Sequence, residues 1–382
     1  MKNKLAIIIP TLHGAGCEKL LSEMLFDFVK EFEIDLILYE KSIDYDIPKN
    51  INIKLVGTDN SPHHSFLYKI FRLIKRIDNI GKILKDNRYD AVLSLIDGCN
   101  TNVYLGKVLH RVKTPLISAE HTINKGFFIH NPYSKKLAWL FKYLLKITYN
   151  GVDEVIVISN SMKKYIQEDI KVANENITTI YNGIDTNKFN LKKDDNVEFE
   201  KEFSEAKIKL LNVARLDDNK NQQYLINLMP EILKQKPETR LFIIGKGEKE
   251  QELKSLIEKL NLEKKVFLLG WKTNVQDYMK EADLFLMSSK YEGFPMTIIE
   301  SISVGLPVVS SLSNEAIFEI LDDKSVGQVI ELDKKEEYLK VILYYLDTQI
   351  DKNLLHKKIK NEFDISITSK QYIQTIKKAI NE

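Results

Sequence analysis

The chain has 382 residues, 44% of them hydrophobic and 29% charged, with a formal net charge of +2. That length exceeds what one compact core usually holds, so two domains are expected, and no stretch is polar enough to suggest a long disordered tail. Two cysteines, Cys17 and Cys99, exclude a disulfide framework and fit a reducing compartment, and no apolar run reaches the roughly 18 residues of a membrane span.

The chain opens on a short apolar run at 5–10, followed by His13, Gly14 and Gly16. Because the run is short and ends in Pro10, it is expected to be a buried strand entering a glycine loop, not a secretory leader. Further apolar runs at 34–39, 91–95, 116–119 and 155–159 alternate with amphipathic stretches at 18–31, 66–87 and 161–170. That alternation predicts a doubly wound α/β domain with a parallel sheet. The pattern then restarts, with strands expected at 209–213, 240–244, 266–269, 284–287 and 308–310 and helices at 222–235, 248–260 and 297–304. A polar stretch over 190–205 separates the two patterns. The expected domains are therefore 1–190 and 191–364, with a final helix in 365–382 packing back toward the N-terminal domain. Ligands of open parallel sheets sit beyond the carboxyl ends of the strands, which places the expected site in a cleft between two facing Rossmann-like domains.

Four loops carry the chemistry. Glu292-Gly293-Phe294-Pro295-Met296-Thr297 follows a strand and opens a helix that contains Glu300. Backbone N–H groups at such a helix start suit a diphosphate, and a carboxylate inside the helix can accept from the paired hydroxyls of a ribose. Arg215 and Lys220, in Ala214-Arg-Leu-Asp-Asp-Asn-Lys220, lie beyond another strand end. They can converge on one phosphate, the first as a fork and the second as a point charge, although two loop cations are more often simply solvated. The loop around Gly16 lets a backbone approach a phosphate. His121 sits just past the strand at 116–119, where a histidine can equally be a structural cap.

Taken together these strings resemble the family 4 retaining glycosyltransferases with the GT-B fold. The family's Glu, seven residues, Glu signature corresponds to Glu292 and Glu300, and its G-x-P-V-V to Gly305-Leu-Pro-Val-Val309. Its R-L-x-x-x-K corresponds to Arg215-Leu-Asp-Asp-Asn-Lys220. The resemblance implies that Arg215 and Lys220 bind the donor diphosphate and neutralise the leaving group. It implies that Glu292 contacts the donor sugar, that Glu300 holds the ribose, and that His121 stands near the reacting carbon. Gly16, Gly293, Phe294, Pro295 and Thr297 complete the donor-binding set. After Val309 the family often has a Gly-Gly loop, whereas this chain has Ser310-Ser-Leu-Ser-Asn314-Glu315.

The resemblance further implies retaining transfer of a sugar from a nucleotide-diphosphate sugar, UDP before GDP, to a saccharide acceptor that is lipid-linked. Bacterial assembly of surface polysaccharide, lipopolysaccharide or lipid-linked oligosaccharide is the implied setting. With no Asp-x-Asp at a strand end and no zinc cluster, no metal and no cofactor are expected, the nucleotide sugar being a substrate. Residues 66–150 hold 15 basic against 5 acidic side chains. The stretches 66–88 and 135–146 mix these cations with aromatic and aliphatic residues, a pattern for a helix lying on anionic lipid, or for an ordinary helix with a solvated basic face. A cytoplasmic protein, peripheral on the inner face of the membrane, is the resulting expectation, with no nucleic-acid partner. The alternatives are a sugar-nucleotide epimerase or hydrolase of the same fold, or a nucleotide-sugar-binding protein without turnover.

Overall fold

The computed structural model describes residues 2–14, 16–57, 66–121, 132–194 and 196–382, and of these the side chains of 66, 67 and 132–138 are not described. The chain forms two compact units, Met1–Gly183 with Ile365–Glu382, and Ile184–Asp364.

In the first unit, strands β1 (Asn3–Ile9), β2 (Phe32–Leu38), β3 (Asn52–Leu55), β4 (Ala91–Leu95), β5 (Leu116–Glu120), β6 (Glu154–Val157) and β7 (Ile177–Thr179) alternate with helices α1 (Gly16–Glu31), α2 (Phe66–Asn87), α3 (Asp97–Leu109), α4 (Pro132–Gly151) and α5 (Asn160–Glu168). All seven strands are parallel, in the order β3-β2-β1-β4-β5-β6-β7. Leu5 to Ile9 have no exposed surface, because helices cover both faces of such a sheet. Leu5, Ile7, Ile8 and Ile9 each contribute roughly 1.5–3 kcal/mol by burial.

The second unit repeats the plan. It comprises α6 (Lys201–Ser204), β8 (Ile208–Val213), α7 (Gln222–Gln235), β9 (Thr239–Ile244), α8 (Glu250–Lys259), β10 (Val266–Gly270), α9 (Val275–Glu281), β11 (Leu284–Met287), α10 (Met296–Ser303), β12 (Val308–Ser311), β13 (Gly327–Ile330), α11 (Lys335–Asp347) and α12 (Lys352–Glu362). Its strands are parallel in the order β10-β9-β8-β11-β12-β13. The winding reverses between β1 and β4 in one unit and between β8 and β11 in the other, and these switch points are where open sheets bind ligands.

The last helix, α13 (Ile365–Asn381), belongs to the first unit, where Tyr372, Ile376 and Ala379 join the core around Phe28 and Leu25. The division between units falls at Gly183, ahead of the polar stretch around 190. Residues after Gly183 are claimed by the second unit: the Ile184 N–H donates to the Phe363 carbonyl at 2.9 Å, and Ser303 Oγ donates to the Phe189 carbonyl at 2.6 Å.

Candidate active site

At the switch point of the second unit, Asn212 near the end of β8 donates to the Leu286 carbonyl of β11 at 2.7 Å, tying the two strands together where they diverge. The chain leaving β8 lies against the loop after β9. Gly245, at φ +150°, has room for no side chain, since a Cβ there would stand 1.9 Å from the Ala214 carbonyl oxygen. This close approach holds 214–216 in place through Leu216 N–H to Lys246 carbonyl, 3.0 Å.

Asp217 then organises the turn. Its Oδ1 accepts from the N–H groups of Asn219 (3.0 Å) and Lys220 (2.9 Å), and its Oδ2 pairs with Arg215 at 3.2 Å. The Arg215 side chain is 80% exposed. Lys220 instead turns toward the loop after β11, where its Nζ meets Glu292 Oε1 at 2.6 Å, with the two side chains only 21% and 12% exposed. The two loops are stitched at several points. Asn219 Nδ2 donates to the Tyr291 carbonyl at 2.9 Å, the Tyr291 N–H returns to Asn219 Oδ1 at 3.1 Å, and Ser288 Oγ lies 2.9 Å from the Lys220 carbonyl. Lys220 is thus held by its backbone as well as by its charge.

Beyond Glu292, Asn314 donates to the carbonyls of Glu292 and Gly293, the latter at 2.7 Å. Phe294 is buried beside Phe363, ring centroids 6.2 Å apart, so only its backbone remains for a ligand. Pro295 precedes the first turn of α10, which contains Thr297, and Glu300 lies half-buried one turn further. The expected donor residues Arg215, Lys220, Glu292, Gly293, Phe294, Pro295, Thr297 and Glu300 therefore fall on two adjacent loops and one helix start.

Gly16 and His121 belong to the first unit. Gly16 begins α1 and is exposed, with open space where a Cβ would stand. His121 follows β5 and is buried, and burial lowers its imidazole to about 4. Its Nε2 is 3.3 Å from the hydroxyl of Tyr372. The neighbouring Glu120 accepts from the Tyr149 hydroxyl. The same unit holds a cavity of about 420 Å³ whose lining includes Pro10, Tyr39, Arg76, Ile96 and Phe141. The Arg76 guanidinium lies over the Tyr39 ring at 4.3 Å. Among the described residues, no group of three or more His, Cys, Asp and Glu side chains is placed to hold a metal ion.

Comparison with known proteins agrees with the two-unit fold. Residues 193–362 match the family model described as glycosyl transferases group 1, and residues 29–188 match that of glycosyltransferase family 4. Each half of the chain is thus a glycosyltransferase domain, the first of family 4 and the second of group 1. It is 26% identical over 359 residues, 94% of its own length and 93% of the relative's, to N-acetylgalactosamine-N,N'-diacetylbacillosaminyl-diphospho-undecaprenol 4-alpha-N-acetylgalactosaminyltransferase of Campylobacter jejuni. It is also 26% identical over 296 residues, 76% of this chain and 74% of the other, to UDP-Gal:alpha-D-GlcNAc-diphosphoundecaprenol alpha-1,3-galactosyltransferase of Escherichia coli. Among solved structures, HepE of Anabaena in complex with UDP superposes with a TM-score of 0.77 at 18% identity, covering 98% of this chain and all of that one. The fold is thus GT-B, with two Rossmann-like units.

Four supporting residues of this glycosyltransferase escaped the sequence reading. Asn219 and Ser288 are small polar loop residues with no periodicity to mark them, although adjacency of the loops after β8 and β11 follows from the switch-point rule. Asn314 lies in the segment that departs from the family pattern, and it is scaffold for the Glu292 loop. Tyr372 carried the apolar pattern of a core helix, which hides its hydroxyl.

Proposed function

We propose that this glycosyltransferase moves a sugar, with retention of anomeric configuration, from a UDP-sugar to a saccharide carried on a lipid diphosphate in bacterial glycan assembly. The direct contact of Lys220 with Glu292 carries this reading. A diphosphate that pairs with Lys220 brings its sugar within reach of Glu292, so one site addresses both halves of the donor. As the glycosidic bond breaks, negative charge grows on the departing diphosphate. Lys220, the exposed Arg215 fork and the N–H groups at the start of α10 are the positive groups available to meet that charge. They supply what a divalent cation would otherwise supply, which supports transfer without a metal or cofactor. Glu300, half-buried inside the helix, is assigned to the ribose hydroxyls. Retention then follows from same-face attack, with the departing phosphate accepting the acceptor's proton. The relatives' UDP-linked donor and diphosphoundecaprenol-linked substrates support the substrate classes.

The acceptor end is assigned to the first unit and to an anionic membrane surface on the cytoplasmic side. Among the described residues no helix is long and apolar enough to cross a membrane. Phe71 and Ile74 on α2, and Trp139 and Tyr143 on α4, are 62%, 59%, 67% and 55% exposed, large apolar area for a water-facing surface. Lys69, Arg72, Lys75, Lys142 and Lys146 share those helices. Of the expected basic stretch 135–146, Lys135 and Lys136 lie outside the described side chains. A screen of UDP- and GDP-sugars against undecaprenyl-diphosphate-linked saccharides tests the whole reading. The expected result is UDP release that requires acceptor, a product with the donor's anomeric configuration, and no loss of rate in chelator. Equal UDP release without acceptor indicates a hydrolase, and an inverted product overturns the same-face mechanism.

A further inference from the structure

His121 and Tyr372 are separated by 251 positions yet meet in the core of the first unit. Tyr372 has no exposed surface, and its ring packs beside Phe28 with centroids 6.3 Å apart. Its helix is anchored by Thr368 Oγ1, which donates to the Tyr181 carbonyl at 2.9 Å, and by ion pairs from Lys377 to Glu31 and from Lys378 to Glu154. The phenol is therefore a fixed object against which the imidazole is set.

Both groups are neutral near pH 7. Burial, followed by the neighbouring Cys17, pushes the phenol well above its ordinary value, and burial lowers the imidazole to about 4. One hydrogen lies between Tyr372 Oη and His121 Nε2, and either atom could hold it. If the ring donated from Nε2, the phenol hydrogen would need another acceptor, and among the described residues it has none. A buried hydroxyl left without an acceptor is costly, so the phenol donates to Nε2. A neutral imidazole has one N–H, which is then on Nδ1. That atom is buried and has no partner among the described residues.

We propose that Tyr372 is a positioning residue that locks His121 as the Nδ1–H tautomer, making it a neutral hydrogen-bond donor to an oxygen of the transferred sugar. The inference rests on the reading of His121 as the residue beside the donor sugar. A C-terminal helix far from the motif loops in sequence thereby sets the direction of a hydrogen bond at the reacting end. A charged imidazolium would lose this selectivity, since both of its nitrogens donate, and burial keeps the ring from charging.

The test is nitrogen-15 NMR of the His121 ring in the intact protein, assigned by comparison with His121→Gln. A protonated Nδ1 and a bare Nε2 are expected in the wild type, and an Nε2–H ring there overturns the proposal without any mutation. In Tyr372→Phe the lock is released and the ring should become a tautomer mixture. The kcat should fall on the order of tenfold, the scale of one hydrogen bond, with KM for the donor changing less. In a His121→Gln background, Tyr372→Phe should cost nothing further, and an equal fall there means that the tyrosine acts only by packing, which also overturns the proposal. Full activity of His121→Gln would instead remove the role of His121 beside the sugar, while the ring spectrum still reports the lock.

Discussion

The two units share one winding and differ at its switch point. Beyond β8 and β11 the second unit places charge against charge at its surface, with Arg215 on Asp217 and Lys220 on Glu292. Beyond β1, β4 and β5 the first unit instead places glycines, an apolar cavity and buried neutral groups, His121 and Tyr372 among them. The same topology has therefore been tuned to opposite ends of the polarity scale. The Arg215–Asp217 pair can be traded for a ligand's charges at modest cost, because the guanidinium is 80% exposed and stays solvated. A neutral ring in a dry core cannot be traded, and it serves direction rather than charge. On this view the second unit handles the leaving diphosphate, and the first handles groups that carry no net charge at the reacting end.

The largest effect expected from breaking this contrast is at Lys220. Lys220→Ala removes the positive partner of the leaving group and strands Glu292, and turnover should fall on the order of 100-fold or more, as for a lost oxyanion donor. The fold should survive, because Asp217 and Ser288 hold the backbone at position 220. A steady-state assay beside a melting curve checks both. Full activity with an unaltered melt ends the diphosphate assignment.

The buried side of the comparison predicts an acid response. His121 titrates at about 4 in the folded protein and near 6.5 when unfolded. Below 6.5 the unfolded chain therefore binds a proton that the folded chain does not. Its contribution to stability is fully present above that pH and is lost as pH falls toward 4, amounting to about 2 kcal/mol by pH 5. Denaturant unfolding of wild type and His121→Gln between pH 7 and 5 measures it, the variant losing less stability. Parallel curves would mean that the ring is not held neutral.

Between these lies a split within the second unit. Glu300→Gln should weaken binding of bare UDP about ten- to a hundredfold, since a carboxylate hydrogen bond is worth roughly 1.5–3 kcal/mol. Glu292→Gln should leave UDP binding nearly intact and lower sugar transfer. Calorimetry with UDP separates them, and equal losses would contradict the division of roles.

How much of this was legible in the sequence depended on burial. The central strands of both sheets read as continuous apolar runs because helices cover both faces. The edge strands β3, β7 and β13 did not, being short and carrying polar residues such as the exposed Asn52 and Thr178 and the half-buried Gln328. Helix α3 was also missed, because its buried face includes Cys99, Asn100 and Asn102, which break an apolar period. The motif residues Arg215, Lys220, Glu292 and Glu300 were visible as strings. The ion pair between two of them was not, since it depends on β8 and β11 being neighbours across 72 positions. The contact between Tyr372 and His121 needs the return of α13 to the first core, which no local pattern states.

The smallest effect concerns the membrane, and there the two tryptophans make the comparison measurable. Trp139 in the first unit and Trp271 in the second are 67% and 63% exposed, so both should emit at long wavelength in buffer. If α2 and α4 lie on lipid, anionic vesicles should shift only the Trp139 emission to the blue, which Trp271→Phe would isolate. Raised salt should reverse part of the shift, because exposed charges are screened beyond about 8 Å at physiological ionic strength. Lys142→Gln removes one cation beside Trp139, and each such lysine contributes roughly 1 kcal/mol at an anionic surface, so vesicle affinity should drop about fivefold. Transfer to a short soluble acceptor should be unchanged, since Lys142 is remote in sequence and role from Lys220 and Glu292. An identical partition of wild type and Lys142→Gln, with no movement of the Trp139 emission, would show α4 to be a solvated helix face. The acceptor's lipid would then need another point of attachment.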